Sequence, residues 1–145
     1  MAGAGQQSET SLHASCVTFG RCGVLITGPS GSGKSGLALQ LIALGARLVA
    51  DDLTRLILVD GHLVAQAPPR LAGVIEARGV GLLQADYQAS APVRLLVDMG
   101  REETRRLPHI HVTELLGVGC ETIYKSGAPH FAAAIKVLST GGRYA

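Results

Sequence analysis

The sequence predicts an α/β fold, a single P-loop domain with a mixed, mainly aliphatic-cored sheet, and three adjoining observations predict it. Cys22-Gly23-Val24-Leu25-Ile26-Thr27 is short, apolar and β-branched, as a buried strand should be. It feeds Gly28-Pro29-Ser30-Gly31-Ser32-Gly33-Lys34-Ser35, which satisfies G-x-x-x-x-G-K-[ST] at every fixed position. Behind that loop, Ser35 to Leu44 reads as a helix, with Leu37, Leu41 and Leu44 on one face and Ala38 and Ile42 beside them. Gly45 stands where a C-cap glycine belongs.

Composition supports a packed globule. The 145 residues suit one domain with its own core, and 47% of them are hydrophobic against 17% charged. Nineteen glycines beside three Tyr and two Phe imply tight loops and a core of Leu, Val, Ile and Ala. A formal charge of +2, without stacking aromatics beside basic clusters, argues against a nucleic-acid partner. Cys16, Cys22 and Cys120 are odd in number and lack metal-ligand spacing, so they read as reduced, mostly buried thiols. No apolar run approaches the roughly 18 residues of a membrane span, and Met1 to Thr10 lacks the pattern of a signal peptide. The expected compartment is the cytoplasm, with no membrane partner.

Residues 1–10, rich in Gly, Gln and Ser, are expected to form a flexible tail, leaving 11–145 as the domain. Cys16 to Phe19 reads as a strand turning at Gly20-Arg21. Arg47 to Ala50 reads as a strand ending in Asp51-Asp52. Asp60-Gly61, between Leu53–Val59 and His62–Ala65, is a hairpin signal. Ile75 to Leu83 reads as a loop-like segment leading to a strand, and Val93 to Val97 as another strand. Gly100 to Pro108 is expected to be a surface loop. Val112 to Leu116 fits a helical turn or a strand, and Thr122 to Tyr124 a strand. Pro129 is placed to start a helix from His130 to Leu138.

The loop's chemistry follows from its residue types. Glycines permit the turns that aim several backbone N–H groups at one anion, and the helix N-terminus adds its dipole there. Lys34 brings a point charge to the outer phosphates, and the Ser35 hydroxyl is of the type that ligates Mg²⁺. A strand returning parallel to the first by a right-handed crossover would end at the same sheet edge as the phosphates. That edge is where Asp51-Asp52 falls. Alternation along a strand gives one carboxylate facing the site, with two roles open: a Mg²⁺ ligand through water, or a general base on an acceptor hydroxyl.

Beyond the loop, three blocks in order resemble the catalytic domain of HPr kinase/phosphorylase. They are Ser11-Leu12-His13, Gly45-Ala46-Arg47-Leu48-Val49-Ala50-Asp51-Asp52, and Ile75-Glu76-Ala77-Arg78-Gly79-Val80-Gly81-Leu82. The resemblance covers residues 11 to 84 well and the rest weakly. It implies a P-loop-containing kinase fold and an ATP- and Mg²⁺-dependent enzyme that phosphorylates a serine of the phosphocarrier HPr. It also implies the reverse phosphorolysis, in which phosphate is consumed and pyrophosphate made. Carried over by position, Asp52 is the proton acceptor, Lys34 steadies the phosphates, and Ser35 with Glu76 holds Mg²⁺. His13 is an active-site residue by the same resemblance, and Arg106, with Arg105 beside it, stands where the family's arginine stabilises the transferring phosphoryl group.

The resemblance further implies a homo-hexamer and a short, catalytic-domain-only form. Pro29 replaces an acid common in the family loop, Gly36 replaces a glutamate, and the stretch from Arg106 to Val112 is compressed. The late segment linked to phosphorolysis reads here Lys125-Ser126-Gly127-Ala128-Pro129-His130, which leaves the kinase direction better supported. Two other functions fit the loop: a kinase of a small metabolite, with a concave acceptor pocket, and a nucleotide-sensing module that transfers nothing.

Overall fold

A computed structural model describes residues 8–144. In chain order the elements are β1 (Glu9–Leu12), β2 (Ala14–Phe19), β3 (Cys22–Thr27), α1 (Lys34–Ala43), β4 (Arg47–Ala50), β5 (Thr54–Val59) and β6 (His62–Gln66). After a 3₁₀ turn at Pro69–Leu71 come β7 (Val74–Ala77), β8 (Gly81–Gln84), β9 (Ser90–Glu102), β10 (His111–Leu115), β11 (Val118–Lys125) and α2 (Phe131–Gly141).

The apolar run from Cys22 to Thr27 becomes a central strand. β3 pairs antiparallel with β2 on one side and parallel with β9 on the other. β4 pairs antiparallel with β2. It therefore runs parallel to β3, as a crossover through α1 requires, with β2 inserted between them. β11 joins β9 in parallel, and β10 lies outside β11. The first residues of β9 also pair with β6, which continues to β5 and β1, so one mixed sheet curls over itself.

Alternation along these strands splits the core in two. Val24, Ile26, Leu95 and Val97 face the helices, packing with Leu37, Ala38 and Leu41 of α1 and Ile135 of α2. Leu25, Leu96, Cys16 and Val49 point the other way, onto Leu56, Leu63 and Ala65 of the curled part. Both clusters are aliphatic, as the composition implies. Between β3 and β9 the backbones approach so closely that a Cβ at Gly23 would lie 2.4 Å from the Pro92 carbonyl oxygen.

Several expectations are corrected. Glu9 and Thr10 are not tail: they pair with Ile57 and Leu56 of β5, so the ordered domain begins before residue 11. The rest of that tail expectation, residues 1–7, lies outside the described residues. Ile75 to Leu83 is a β7–β8 hairpin rather than a loop before a strand, because the chain turns through Gly79 at positive φ, Ala77 pairs with Gly81, and Ile75 stays buried. Gly100 to Glu102 extend β9 instead of opening the loop, since Lys125 still pairs opposite Glu102. Val112 to Leu116 resolves to a strand, His111–Leu115, turned by Leu116-Gly117 with positive φ at both. The Asp60-Gly61 hairpin forms as expected, with φ of 51° and 75°. Among the described residues no helix is long and apolar enough to cross a membrane.

The three cysteines are free. Burial pushes the Cys16 thiol up to about 12, with the neighbouring Cys22 adding to the effect, and it raises Cys22 and Cys120 as well. A thiol whose pKa is raised stays neutral and unreactive until the pH passes that value.

Two outcomes follow. Gly23→Ala should lower unfolding stability by about 1–3 kcal/mol, as forced overpacking does, read as a lower denaturant midpoint; an unchanged midpoint would mean that β3 and β9 are not so closely apposed. In native protein at pH 8, iodoacetamide should label the half-buried Cys22 first and Cys16 last. Peptide mass spectrometry gives the order, and early labelling of Cys16 would contradict its burial.

Candidate functional site

The loop from Gly28 to Ser35 joins the C-terminal end of β3 to α1. Gly28, Gly31 and Gly33 have φ of 144°, 81° and 96°, a region where side chains are strained. At Gly28 space is also closed: a Cβ there would lie 2.7 Å from Ser32 Oγ and 3.0 Å from Met99 Cβ. α1 starts on Gly33 with no side-chain cap and no acidic residue in its first turn. Its leading N–H groups therefore lack the carboxylate or hydroxyl that usually satisfies them. Ser32 Oγ is buried without a hydrogen-bond partner. An uncapped helix start, an orphaned hydroxyl and a glycine-built concavity form a cradle that a polyphosphate fits.

Lys34 is buried, and its ammonium donates to the Gly28 and Pro29 carbonyls at 2.8 and 3.1 Å. The charge is thus held over the lip of the same loop. Pro29, Ser30 and Gly31 form the exposed outer turn, closed by Ser32 N donating to Pro29 O at 3.1 Å.

The two aspartates follow β4 and separate cleanly. Asp51 accepts from Ser35 Oγ at 2.7 Å and from Ser15 Oγ at 2.9 Å on one oxygen, and from Glu76 N at 3.0 Å on the other. This one carboxylate therefore ties α1, β2 and β7 to the end of β4. Asp52 turns outward with φ of 66°, the middle of a γ-turn closed by Leu53 N donating to Asp51 O at 2.7 Å. Its side chain is 75% exposed, and Asp52 Oδ1 lies 3.7 Å from His13 Nδ1. The backbone N–H of Asp52 donates to Ser15 Oγ at 3.2 Å. Strand alternation did not decide between the carboxylates, because β4 ends at Ala50 and both lie beyond it.

His13, Lys34, Ser35, Asp51, Asp52 and the backbone of Glu76 thus meet at one sheet edge. Ser15 and Asp51 are the residues whose structural weight the sequence reading underrates. A hydroxyl near the start of the mainly apolar strand Ala14–Phe19 was the available signal for Ser15, which is fully buried. Among the described residues no three His, Cys, Asp or Glu side chains converge as a metal cage. Ser35, Asp51 and Glu76 are the oxygen-bearing residues here that could hold a Mg²⁺ ion together with phosphate.

Arg106 is not brought in. It lies exposed in the loop between β9 and β10 and makes no ion pair among the described residues. Arg105 Nη1 is 3.0 Å from His109 Nε2. That loop is fastened at its base by Glu103. Its carboxylate meets His111 Nε2 at 3.0 Å and accepts from Thr104 N and Arg105 N. The His111 contact first, then the backbone N–H of Arg105, holds the Glu103 carboxyl below its ordinary range.

Comparison with known proteins gives the same picture. The family model described as the HPr Serine kinase C-terminal domain matches residues 6–90. The HPr kinase/phosphorylase of Clostridium beijerinckii is 45% identical over 75 residues, which is 52% of this chain and 25% of that protein. That of Clostridium kluyveri is 47% identical over 75 residues, 52% of this chain and 24% of that protein. The matched segment therefore spans about a quarter of these relatives' length. The Hpr(Ser) kinase/phosphatase structure from Coxiella burnetii superposes with a TM-score of 0.75 at 24% identity, covering 89% of this chain and 87% of that one, which establishes the P-loop kinase fold. With more than half its length matched, including the phosphate loop, both aspartates and the β7–β8 hairpin, the chain belongs to the HPr serine kinase C-terminal domain family.

Proposed function

We propose that this protein is an ATP-dependent serine kinase acting on an HPr-type phosphocarrier protein, with phosphorolysis as the reverse reaction. The observation that carries the reading is the division of labour at one sheet edge. Buried Lys34 and the half-buried, hydrogen-bonded Ser35–Asp51 pair adjoin the phosphate loop, and an exposed Asp52–His13 pair stands beside them. A sheltered charge set suits polyphosphate and metal. An exposed carboxylate suits an acceptor hydroxyl that arrives on the surface of another protein. A small-metabolite kinase would instead enclose its base in a pocket, and here the Asp52 and His13 side chains are 75% and 83% exposed.

In the forward direction Asp52 takes the proton of the acceptor serine as its oxygen bonds to the γ-phosphorus. The bond from that phosphorus to the β,γ-bridging oxygen breaks, and ADP departs. In reverse, an oxygen of inorganic phosphate attacks the phosphoserine phosphorus. The serine oxygen leaves with the proton returned by Asp52, and pyrophosphate is the product. One group serving as base and then acid is what microscopic reversibility demands. His13 orients the Asp52 carboxylate through the 3.7 Å contact. Lys34 and the loop N–H groups hold the outer phosphates in line. When bound, Mg²⁺ neutralises charge on the phosphate oxygens, and Ser35, Asp51 and Glu76 would hold it. The assembly that accompanies this reading is the family's hexamer, and the compartment is the cytoplasm.

The direct test mixes the protein with HPr, labelled ATP and Mg²⁺, looks for phosphoserine, and then adds phosphate and looks for pyrophosphate. Asp52→Asn should keep nucleotide affinity and lose phosphoserine formation by about 10²–10⁴-fold, the range for removing a general base. Asparagine tolerates the positive φ, so the fold should survive. Lys34→Ala should instead weaken ATP binding as well as transfer. Full turnover by Asp52→Asn would remove Asp52 as the base, and absence of phosphoserine from wild type that still binds ATP would favour the module that senses nucleotide without transferring phosphate.

The metal assignment has its own readout. Asp51→Asn and Glu76→Gln should both raise the Mg²⁺ concentration needed for half-maximal activity, the first more than the second. Magnesium curves superimposing on wild type would remove the substituted residue from the ligand set.

A further inference from the structure

We propose that the fork where β9 leaves β6 and meets β11 is a binding site for a small hydroxylated carboxylate, separate from the phosphate loop. β3 lies along one edge of β9, from Gly23 opposite Val93 to Thr27 opposite Asp98. The other edge of β9 changes partner. Its antiparallel ladder with β6 ends at Val64 opposite Pro92, and its parallel ladder with β11 begins at Thr122 opposite Leu96. Between them Val93, Arg94 and Leu95 have a strand partner on the β3 side alone. Backbone N–H and C=O groups that leave a ladder need some other hydrogen-bonding partner.

The fork encloses a cavity of about 230 Å³, with His62 and Leu63 of β6, Val93 and Arg94 of β9, and Cys120 and Glu121 of β11 in its walls. Leu63, Val93 and Cys120 are buried and give it an apolar floor, whereas His62 and Arg94 are exposed at its mouth. Charge at the mouth is uneven. Glu121 is already paired, with Arg143 Nε 2.8 Å from its Oε2. Arg94 has no ion pair among the described residues. One permanently charged guanidinium is thus left beside an open strand edge.

A carboxylate supplies the matching single charge, and its two oxygens fit the planar fork of an arginine. A hydroxyl on the neighbouring carbon both donates and accepts, so it can meet whichever backbone group the edge presents. Volume sets the size. At about 30 Å³ for each water-sized group, the cavity holds roughly eight, so the ligand is an acid of few carbons. The site is remote from the phosphate loop. It opens at the starting ends of β9 and β11, and from Val93 to Asp98, which lies opposite Thr27, β9 rises roughly 16 Å at about 3.3 Å per residue.

Lactate is the probe, titrated into the full chain at constant ionic strength while backbone amide signals are followed by NMR. Signals of Leu63, Arg94 and Cys120 should shift and saturate in the millimolar range, as befits a ligand of so few atoms. Propionate, which lacks the hydroxyl, should bind more weakly, and inorganic phosphate should give no saturable shift at these residues. Arg94→Ala, checked for an unchanged melting temperature, should weaken lactate binding by about 10-fold or more, as for loss of a charged hydrogen-bond donor. Arg94→Lys keeps the charge without the fork and should fall between. Saturating ADP with Mg²⁺ should not displace lactate. Absence of a saturable shift in wild type, equal affinity in Arg94→Ala, propionate or phosphate binding as well as lactate, or displacement by ADP would each overturn the assignment.

Discussion

The Asp51 carboxylate is the constraint on which the rest of the site depends. It accepts from Ser15, Ser35 and the backbone of Glu76, groups that belong to β2, α1 and β7. None of those elements is adjacent in sequence to another, so no local propensity could bring them together. Hydrogen bonds to a charged acceptor contribute on the order of 1.5–3 kcal/mol each. Ser15 is fully buried, and without Asp51 its hydroxyl would lose the acceptor it donates to. One carboxylate therefore fixes the helix start that meets phosphate and the hairpin that carries Glu76. It also fixes the strand beside His13.

The same bonds account for the backbone at Asp52. A non-glycine residue at φ 66° in a γ-turn is strained by about 1–3 kcal/mol and persists only where its surroundings over-determine it. Here they do. Asp51 is held on its side chain by three donors, and Asp52 N–H is held by Ser15 Oγ, which spans both aspartates. The strained turn sets Asp52 away from the Asp51 hydrogen bonds and toward His13. Consecutive carboxylates would otherwise repel at one point. In the proposed reaction, splitting them would let one serve the cation and the other the acceptor.

Much of this was legible in the sequence because it is local. The run Cys22–Thr27, the glycine loop and the stripe of Leu37 and Leu41 specify a strand, an anion cradle and a helix without long-range information. Asp60-Gly61 specifies its hairpin through the positive φ that its turn requires. What escaped is non-local. Glu9 and Thr10 look like tail because only pairing with β5, far along the chain, makes them strand. Gly100 to Glu102 look like loop because their polar sequence is overridden by pairing with β11. Ser15 carries no motif, and its role appears only when β2 lies beside the end of β4. Arg106 was carried over by resemblance, and the structure gives it no ion pair among the described residues.

The openness of the acceptor side has a consequence for the chemistry. Phosphoryl transfer to serine competes with transfer to water, and enzymes usually suppress water by closing a lid. Asp52 and His13 are largely exposed, so the chain's described residues do not themselves dry the acceptor side. A small hydroxylated metabolite bound at such an edge would leave the base wet and the γ-phosphate open to hydrolysis. A folded acceptor protein covers the edge with its own surface and brings the serine in the same movement. In the proposed reaction, water exclusion would then depend on the acceptor itself. On the proposed reading, the exposure of Asp52 is the counterpart of a macromolecular substrate, while buried Lys34 and the half-buried Ser35–Asp51 pair are sheltered by the chain's own elements.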